Sequence, residues 1–119
     1  MSDIQWSDGA PIYRQLKERV IVMMLDGILK PGDALPSVRQ VAADYQLNPI
    51  TVSRAYQELA DEGLVEKRRG LGMFMTAQAA TQLRSSQRER FLNDECPAVL
   101  QRIQRLGLSL DALLPPWTL

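Results

Sequence analysis

Large apolar residues recur at helical spacing near the start of the chain, at Ile12, Leu16, Val20, Met23 and Met24. Arg14, Lys17, Glu18 and Arg19 fall on the opposite, solvent side of the same pattern. Pro11 suits the first turn of this helix, where a missing N–H costs nothing, and Gly27 suits its end. Residues 29–33, Leu-Lys-Pro-Gly-Asp, read as a turn. A short helix follows over 37–45, with Ser37 as N-cap, Gln40 completing a capping-box pattern, and Val38, Val41 and Ala42 inward. Gln46 and Leu47 turn the chain. Asn48 then caps a second helix with Pro49 at its first position and Val52, Ala55, Tyr56 and Leu59 as its buried stripe. This helix is expected to run to about Glu62, where Gly63 ends it.

The pattern then changes period. Residues 64–67 and 73–76 read as two short strands, joined by a glycine-bearing tip over 68–72. Beyond Thr76 the composition shifts to Gln, Ser and Arg, with Leu83 the main large apolar residue up to Arg90; a partly exposed helix is expected. Phe91, Leu92, Val99, Leu100, Ile103 and Leu106 form a second apolar stripe that Gly107 stops. Ser109 caps a last short helix with Leu110, Leu113 and Leu114, ended by Pro115-Pro116, with Trp117 in a tail. Trp6 reads as an anchor of a loose lead-in onto the body, and Met23, Met24, Met73 and Met75 as core filler.

Two short helices, a tight turn and a basic hairpin in this order predict a winged helix-turn-helix over residues 1–76. A short C-terminal helical dimerisation segment occupies 77–119. The fold class is mostly α with a small β-hairpin. The tail alone is too small to bury its apolar stripe well. It needs the first domain or a second copy of the chain. A homodimer joined through Phe91, Leu92, Val99, Leu100, Ile103 and Leu106 is the expected arrangement.

Charge and composition narrow the chemistry. With no histidine and one cysteine, Cys96, the usual zinc sites and most nucleophile–base pairs are missing, and no intrachain disulfide can form. An enzyme would have to run on carboxylates and lysines. No cofactor and no metal are expected, and Cys96 reads as an inert buried thiol. No apolar run approaches the roughly 20 residues that span a bilayer, and the N-terminus lacks a basic leader. The expected location is cytoplasmic, without a membrane partner.

The net charge is zero, which by itself speaks mildly against nucleic acid. The distribution matters more than the sum. Arg39, Arg54, Lys67, Arg68 and Arg69 fall on the helix-turn-helix and hairpin, whereas Asp26, Asp33, Asp44, Asp61 and Glu62 sit at helix ends and turns. A recognition helix presents its N-terminal residues to base edges in the major groove, here Asn48, Ile50, Thr51, Ser53 and Arg54. Ile50 suits a thymine methyl, Arg54 a guanine or a phosphate, and Thr51 and Ser53 phosphates or adaptable contacts. Ser37 at a helix N-terminus suits a phosphate, with Arg39 beside it reaching the backbone or a guanine edge. Lys67, Arg68, Arg69 and Gly70 form a wing, and Gly70 lets the backbone approach a phosphate. Double-stranded DNA with a palindromic operator is the expected partner.

Taken together, Pro11-Ile12-Tyr13, Pro31-Gly32-Asp33, Leu35-Pro36-Ser37-Val38-Arg39, Thr51-Val52, Ala55-Tyr56, Leu59, Glu62-Gly63-Leu64 and Gly70-Leu71-Gly72-Met73-Phe74 resemble the GntR superfamily of bacterial transcription regulators. The resemblance covers roughly residues 11–76. The short helical tail resembles the YtrA-like branch, whose tails serve dimerisation. That resemblance implies a repressor of its own operon, often one with ABC transporter genes. It also implies DNA contacts at Arg39, Asn48, Thr51, Ser53, Arg54, Arg69 and Gly70. Pro49 and Ile50 depart from the family's usual residues, which points to a different half-site. A small-molecule effector has only a cleft between tail and body to occupy. The rival readings are a winged-helix protein-interaction module that binds no DNA and a small carboxylate-based enzyme.

Overall fold

The computed structural model describes residues 6–114, which form two compact units meeting between Leu83 and Arg84. The first unit contains α1 (Ile12–Leu25), α2 (Val38–Tyr45), α3 (Pro49–Asp61) and the hairpin β1 (Val65–Arg68) and β2 (Gly72–Met75). It also holds the start of α4 (Ala79–Arg90), whose Ala79 and Leu83 belong to the first core. The compact unit thus takes in turns of a helix that the composition shift at Thr76 assigns to the tail.

Local chemistry sets the helix ends. The Ser37 hydroxyl accepts the Gln40 N–H at 3.1 Å, and the Asn48 carboxamide oxygen accepts the Ile50 N–H at 2.9 Å. Each cap satisfies a donor that a helix start otherwise leaves unpaired. Ser37 and Gln40 form only half of the expected capping box, because the Gln40 side chain turns to Asp44. Between α2 and α3, Gln46 adopts φ 54°, and this left-handed residue makes the sharp turn. Pro49 sits at the first position of α3 as expected.

The core is one apolar cluster. Leu16, Val20, Ile21 and Met24 of α1 meet Val52, Ala55, Tyr56 and Leu59 of α3, with Val41 and Ala42 of α2 and Leu64, Val65 and Met75 of the hairpin. Met23 and Met73 pack against its edge. Lys17 departs from the expected solvent face. It bridges Glu58 at 3.3 Å and also Glu62, tying α1 to α3. Burial works against the Lys17 charge, but the two carboxylates outweigh it and hold the ammonium above its ordinary value of 10.5.

The hairpin pairs Val65 with Met75, Glu66 with Phe74, Lys67 with Met73 and Arg68 with Gly72. The strands are thus one residue out from the expected 64–67 and 73–76. A third segment completes the sheet. The Gly32 N–H donates to the Met75 carbonyl (2.8 Å), the Met75 N–H to Asp33 (2.9 Å) and the Leu35 N–H to Met73 (2.8 Å). The turn expected over 29–33, closed by the Asp33 N–H donating to the Lys30 carbonyl at 2.9 Å, leads straight into an edge pairing that fixes β2 against the start of α2. Thr76 anchors the other end, its hydroxyl donating to the Gly63 carbonyl at 2.8 Å.

Trp6 anchors the lead-in, edge-on to Tyr45 with centroids 6.1 Å apart and under the Arg19 guanidinium. Gln15 adds hydrogen bonds with Ser7 and Ala10.

The second unit holds the rest of α4, a π-helical segment (Phe91–Glu95), α5 (Cys96–Arg105) and α6 (Leu110–Leu113). Pro97 lacks an N–H and would press on the carbonyl four residues back, and the helix widens just ahead of it. The Cys96 N–H donates to Phe91, five residues back. The wide turn absorbs one extra residue. Phe91 and Val99, and Leu92 and Leu100, thereby come into phase as residues seven apart do in an α-helix. Ser109 caps α6 as expected. Leu114 lies just past that helix, and Pro115, Pro116 and Trp117 fall outside the described residues. Cys96 is half-buried rather than buried.

Candidate nucleic-acid interface

Three elements of the first unit converge on one cleft of about 370 Å³. Ser37 and Val38 at the start of α2 form one wall, Ser53 and Gln57 on the outer face of α3 a second, and Lys67, Leu71 and Met73 of the hairpin the third. The floor is apolar, from Leu35, Pro36 and Tyr56. The Tyr56 hydroxyl donates to the Pro36 carbonyl at 2.7 Å, so α3 itself holds the segment that leads into α2.

Burial, with a smaller contribution from Tyr45, pushes the Tyr56 phenol up from 10.0 to about 12. Because folding favours its neutral form, Tyr56 contributes stability that is complete below pH 10. That stability is lost as pH rises toward 12, by roughly 2 kcal/mol. Urea denaturation at pH 8, 10 and 12 is expected to show this loss, and Tyr56→Phe is expected to shrink it. An equal alkaline loss in Tyr56→Phe would remove Tyr56 as a source.

The expected site residues divide by position. Ser37, Ser53 and Lys67 line the cleft. Asn48 and Ile50 stand at the exposed start of α3, Ile50 with 76% of its surface open. Thr51 is half-buried there. Arg39 is exposed on α2, and Arg69 and Gly70 are exposed at the hairpin tip, where Gly70 has φ 76°. Arg39, Lys67 and Arg69 make no ion pair with any described residue, which leaves their charge available.

Arg54 and Arg68 behave differently. Arg68 shares the hairpin face of Glu66 and Phe74, opposite the Lys67 face. It bonds Glu66 at 3.1 Å and lies over the Phe74 ring at 4.3 Å. Arg54 lies toward α1, 3.9 Å over the Tyr13 ring and 3.9 Å from Glu58. The structure therefore does not bring Lys67 and Arg68 to one surface, although they are adjacent in sequence. Gln57, absent from the expected set, lies one helical turn beyond Ser53, and that i, i+4 spacing is the signal by which it was legible.

Among the described residues no three metal-ligating side chains converge, and no helix is long and apolar enough to cross a membrane.

Comparison with known proteins assigns this arrangement. Residues 12–75 match the model of bacterial regulatory proteins, gntR family. The chain is 45% identical over 83 residues to the HTH-type transcriptional repressor YtrA of Bacillus subtilis, covering 70% of this chain and 64% of YtrA. It is 31% identical over 112 residues to the uncharacterized HTH-type transcriptional regulator YhcF of the same organism, covering 94% of this chain and 91% of YhcF. A GntR family transcriptional regulator from Listeria monocytogenes matches in structure with a TM-score of 0.73 at 26% identity, over 91% of this chain and 93% of that one. These relatives are transcription regulators and not enzymes. The chain belongs to the gntR family of bacterial regulatory proteins, as a YtrA-like member carrying a DNA-binding winged helix-turn-helix.

Proposed function

We propose that this protein is a homodimeric repressor that binds a palindromic operator and controls its own operon, ABC transporter genes included, in the cytoplasm. The observation that carries the reading is the cleft. It opens between the start of α2, the outer face of α3 and the wing, and Ser37, Ser53 and Lys67 are among the residues that line it. With α3 in a major groove, a phosphate strand runs along this flank, and the wing reaches past it. Ser37, Ser53 and Lys67 then hold that strand. Arg39 and Arg69 extend the contact, Gly70 allows close approach, and Asn48 and Ile50 face the bases.

The tail supports the dimer. No residue of 84–114 is buried in the single chain, and Phe91, Leu92, Val99, Leu100 and Leu106 all stay exposed. An apolar face of this kind is satisfied by an identical face across a two-fold axis, which in turn makes the operator a palindrome. No cofactor enters this scheme, and an effector of unidentified chemistry would act by changing the spacing of the two wings.

The test is fluorescence anisotropy with a duplex from the gene's own upstream region and a scrambled duplex, over a salt series. Preferential binding to the native duplex, falling steeply with salt as counterions are released, is the expected result. Binding to neither duplex at low salt would overturn it in favour of a protein-interaction module.

A further inference from the structure

We infer that Tyr13, on α1, is a positioning residue for DNA binding: it holds the Arg54 guanidinium as a clamp on the phosphate strand opposite the one in the wing cleft. The inference rests on the DNA-binding reading above and concerns the flank of α3 that the cleft does not use.

A helix in the major groove has a phosphate strand on each side, because the groove is only about 12 Å wide. Ser53 and Gln57 face the cleft flank. Arg54 faces the α1 flank, where its guanidinium lies 3.9 Å over the Tyr13 ring. This stacking fixes the plane of a long side chain that otherwise samples many rotamers. The second neighbour is Glu58, at 3.9 Å. Glu58 is already committed through its other oxygen to Lys17, which also bridges Glu62. The Arg54 charge is thus only weakly compensated, and its side chain remains 62% exposed. A cation that is oriented but not neutralised suits a phosphate. Its guanidinium lies toward α1, over the Tyr13 ring, which suits a strand rather than a base edge. Arg54 is therefore a backbone contact, and Tyr13 acts through it.

The experiment is a double-mutant cycle on the full chain. Wild type, Tyr13→Leu, Tyr13→Phe, Arg54→Ala and Tyr13→Leu/Arg54→Ala are titrated by anisotropy against a duplex selected by the wild type from a random library, and against the unselected library. Arg54→Ala is expected to weaken both duplexes by a similar factor and to reduce the salt slope by about one. Tyr13→Leu is expected to weaken binding roughly two- to fivefold, the worth of an exposed cation–π contact, with Arg54 present and not at all in its absence. Tyr13→Phe keeps the ring and is expected to bind as wild type. Comparing Tyr13→Leu on both backgrounds cancels any general loss of folding. Equal losses from Tyr13→Leu with and without Arg54, or no loss in either, would reduce Tyr13 to a packing residue and overturn the inference alone. A wild type that binds neither duplex would overturn the DNA-binding reading and this inference together.

Discussion

Leu100→Asp is expected to convert the protein to monomers and to lower its affinity for a palindromic operator by about 10²-fold or more. Between Arg84 and Leu114 no residue is buried in the single chain, although Phe91, Leu92, Val99, Leu100, Leu106, Leu108, Leu110, Leu113 and Leu114 are all large, apolar and exposed. The π-helical turn before Pro97 brings Leu92 and Leu100 into phase, so a partner helix would meet a continuous strip. A carboxylate in the middle of that strip would be desolvated without a counter-charge, a cost that association cannot absorb. The effect on DNA follows from geometry. Two linked half-sites gain from effective concentration, and separate monomers lose that gain, which spans about 10² to 10⁴. Sedimentation velocity reads the first effect and anisotropy the second. Leu100→Asp that still sediments as a dimer would move the interface off this face, as would a dimeric Ile103→Asp, whose half-buried side chain lies three residues on along the same stripe. The first unit should melt unchanged in either case, because its core ends at Leu83.

The features legible from the sequence are those set by local backbone chemistry. Ser37 and Asn48 cap their helices because a short polar side chain can reach a free N–H two or three residues ahead, whatever the rest of the fold does. Pro49, Gly63 and Gly70 mark boundaries for equally local reasons. The apolar stripe of α3 appears in full as core, because helical period and burial coincide there. What escaped depends on which elements meet. The edge pairing of Gly32, Asp33 and Leu35 has no alternating pattern to announce it, since a strand this short carries too few side chains. Lys17 reads as a surface cation until α3 places Glu58 and Glu62 beside it. Lys67 and Arg68 read as one basic patch, yet the pleat sends them to opposite faces. Arg54 reads as a contact to either a guanine or a phosphate, and only the packing of α1 places Tyr13 beneath it. The candidate site was thus visible as a set of residues but not as two flanks of one helix.

The same helix makes the second large effect a test of stability. Leu59→Ala is expected to destabilise the first unit by about 3 kcal/mol, within the 2–5 kcal/mol usual for removing a buried leucine. Leu59 is completely buried, and α3 around it is held on several sides, so the surroundings cannot collapse into the space. Its carbonyl accepts the Leu64 N–H at 3.0 Å, where the chain leaves α3 for the hairpin. Loss of the side chain therefore loosens the joint between recognition helix and wing as well as the core. A domain of this size has a total stability of about 5–15 kcal/mol, so one such substitution removes a large share of it. Urea unfolding should show a lower midpoint with an unchanged slope, the mark of a weaker native state rather than a changed unfolded one. Ile50→Ala is the matched control on the exposed face of α3. It should leave stability within about 0.5 kcal/mol and act on operator binding alone. If Leu59→Ala cost less than about 1 kcal/mol, α3 would not be the rigid platform on which the wing cleft and the Arg54 flank depend.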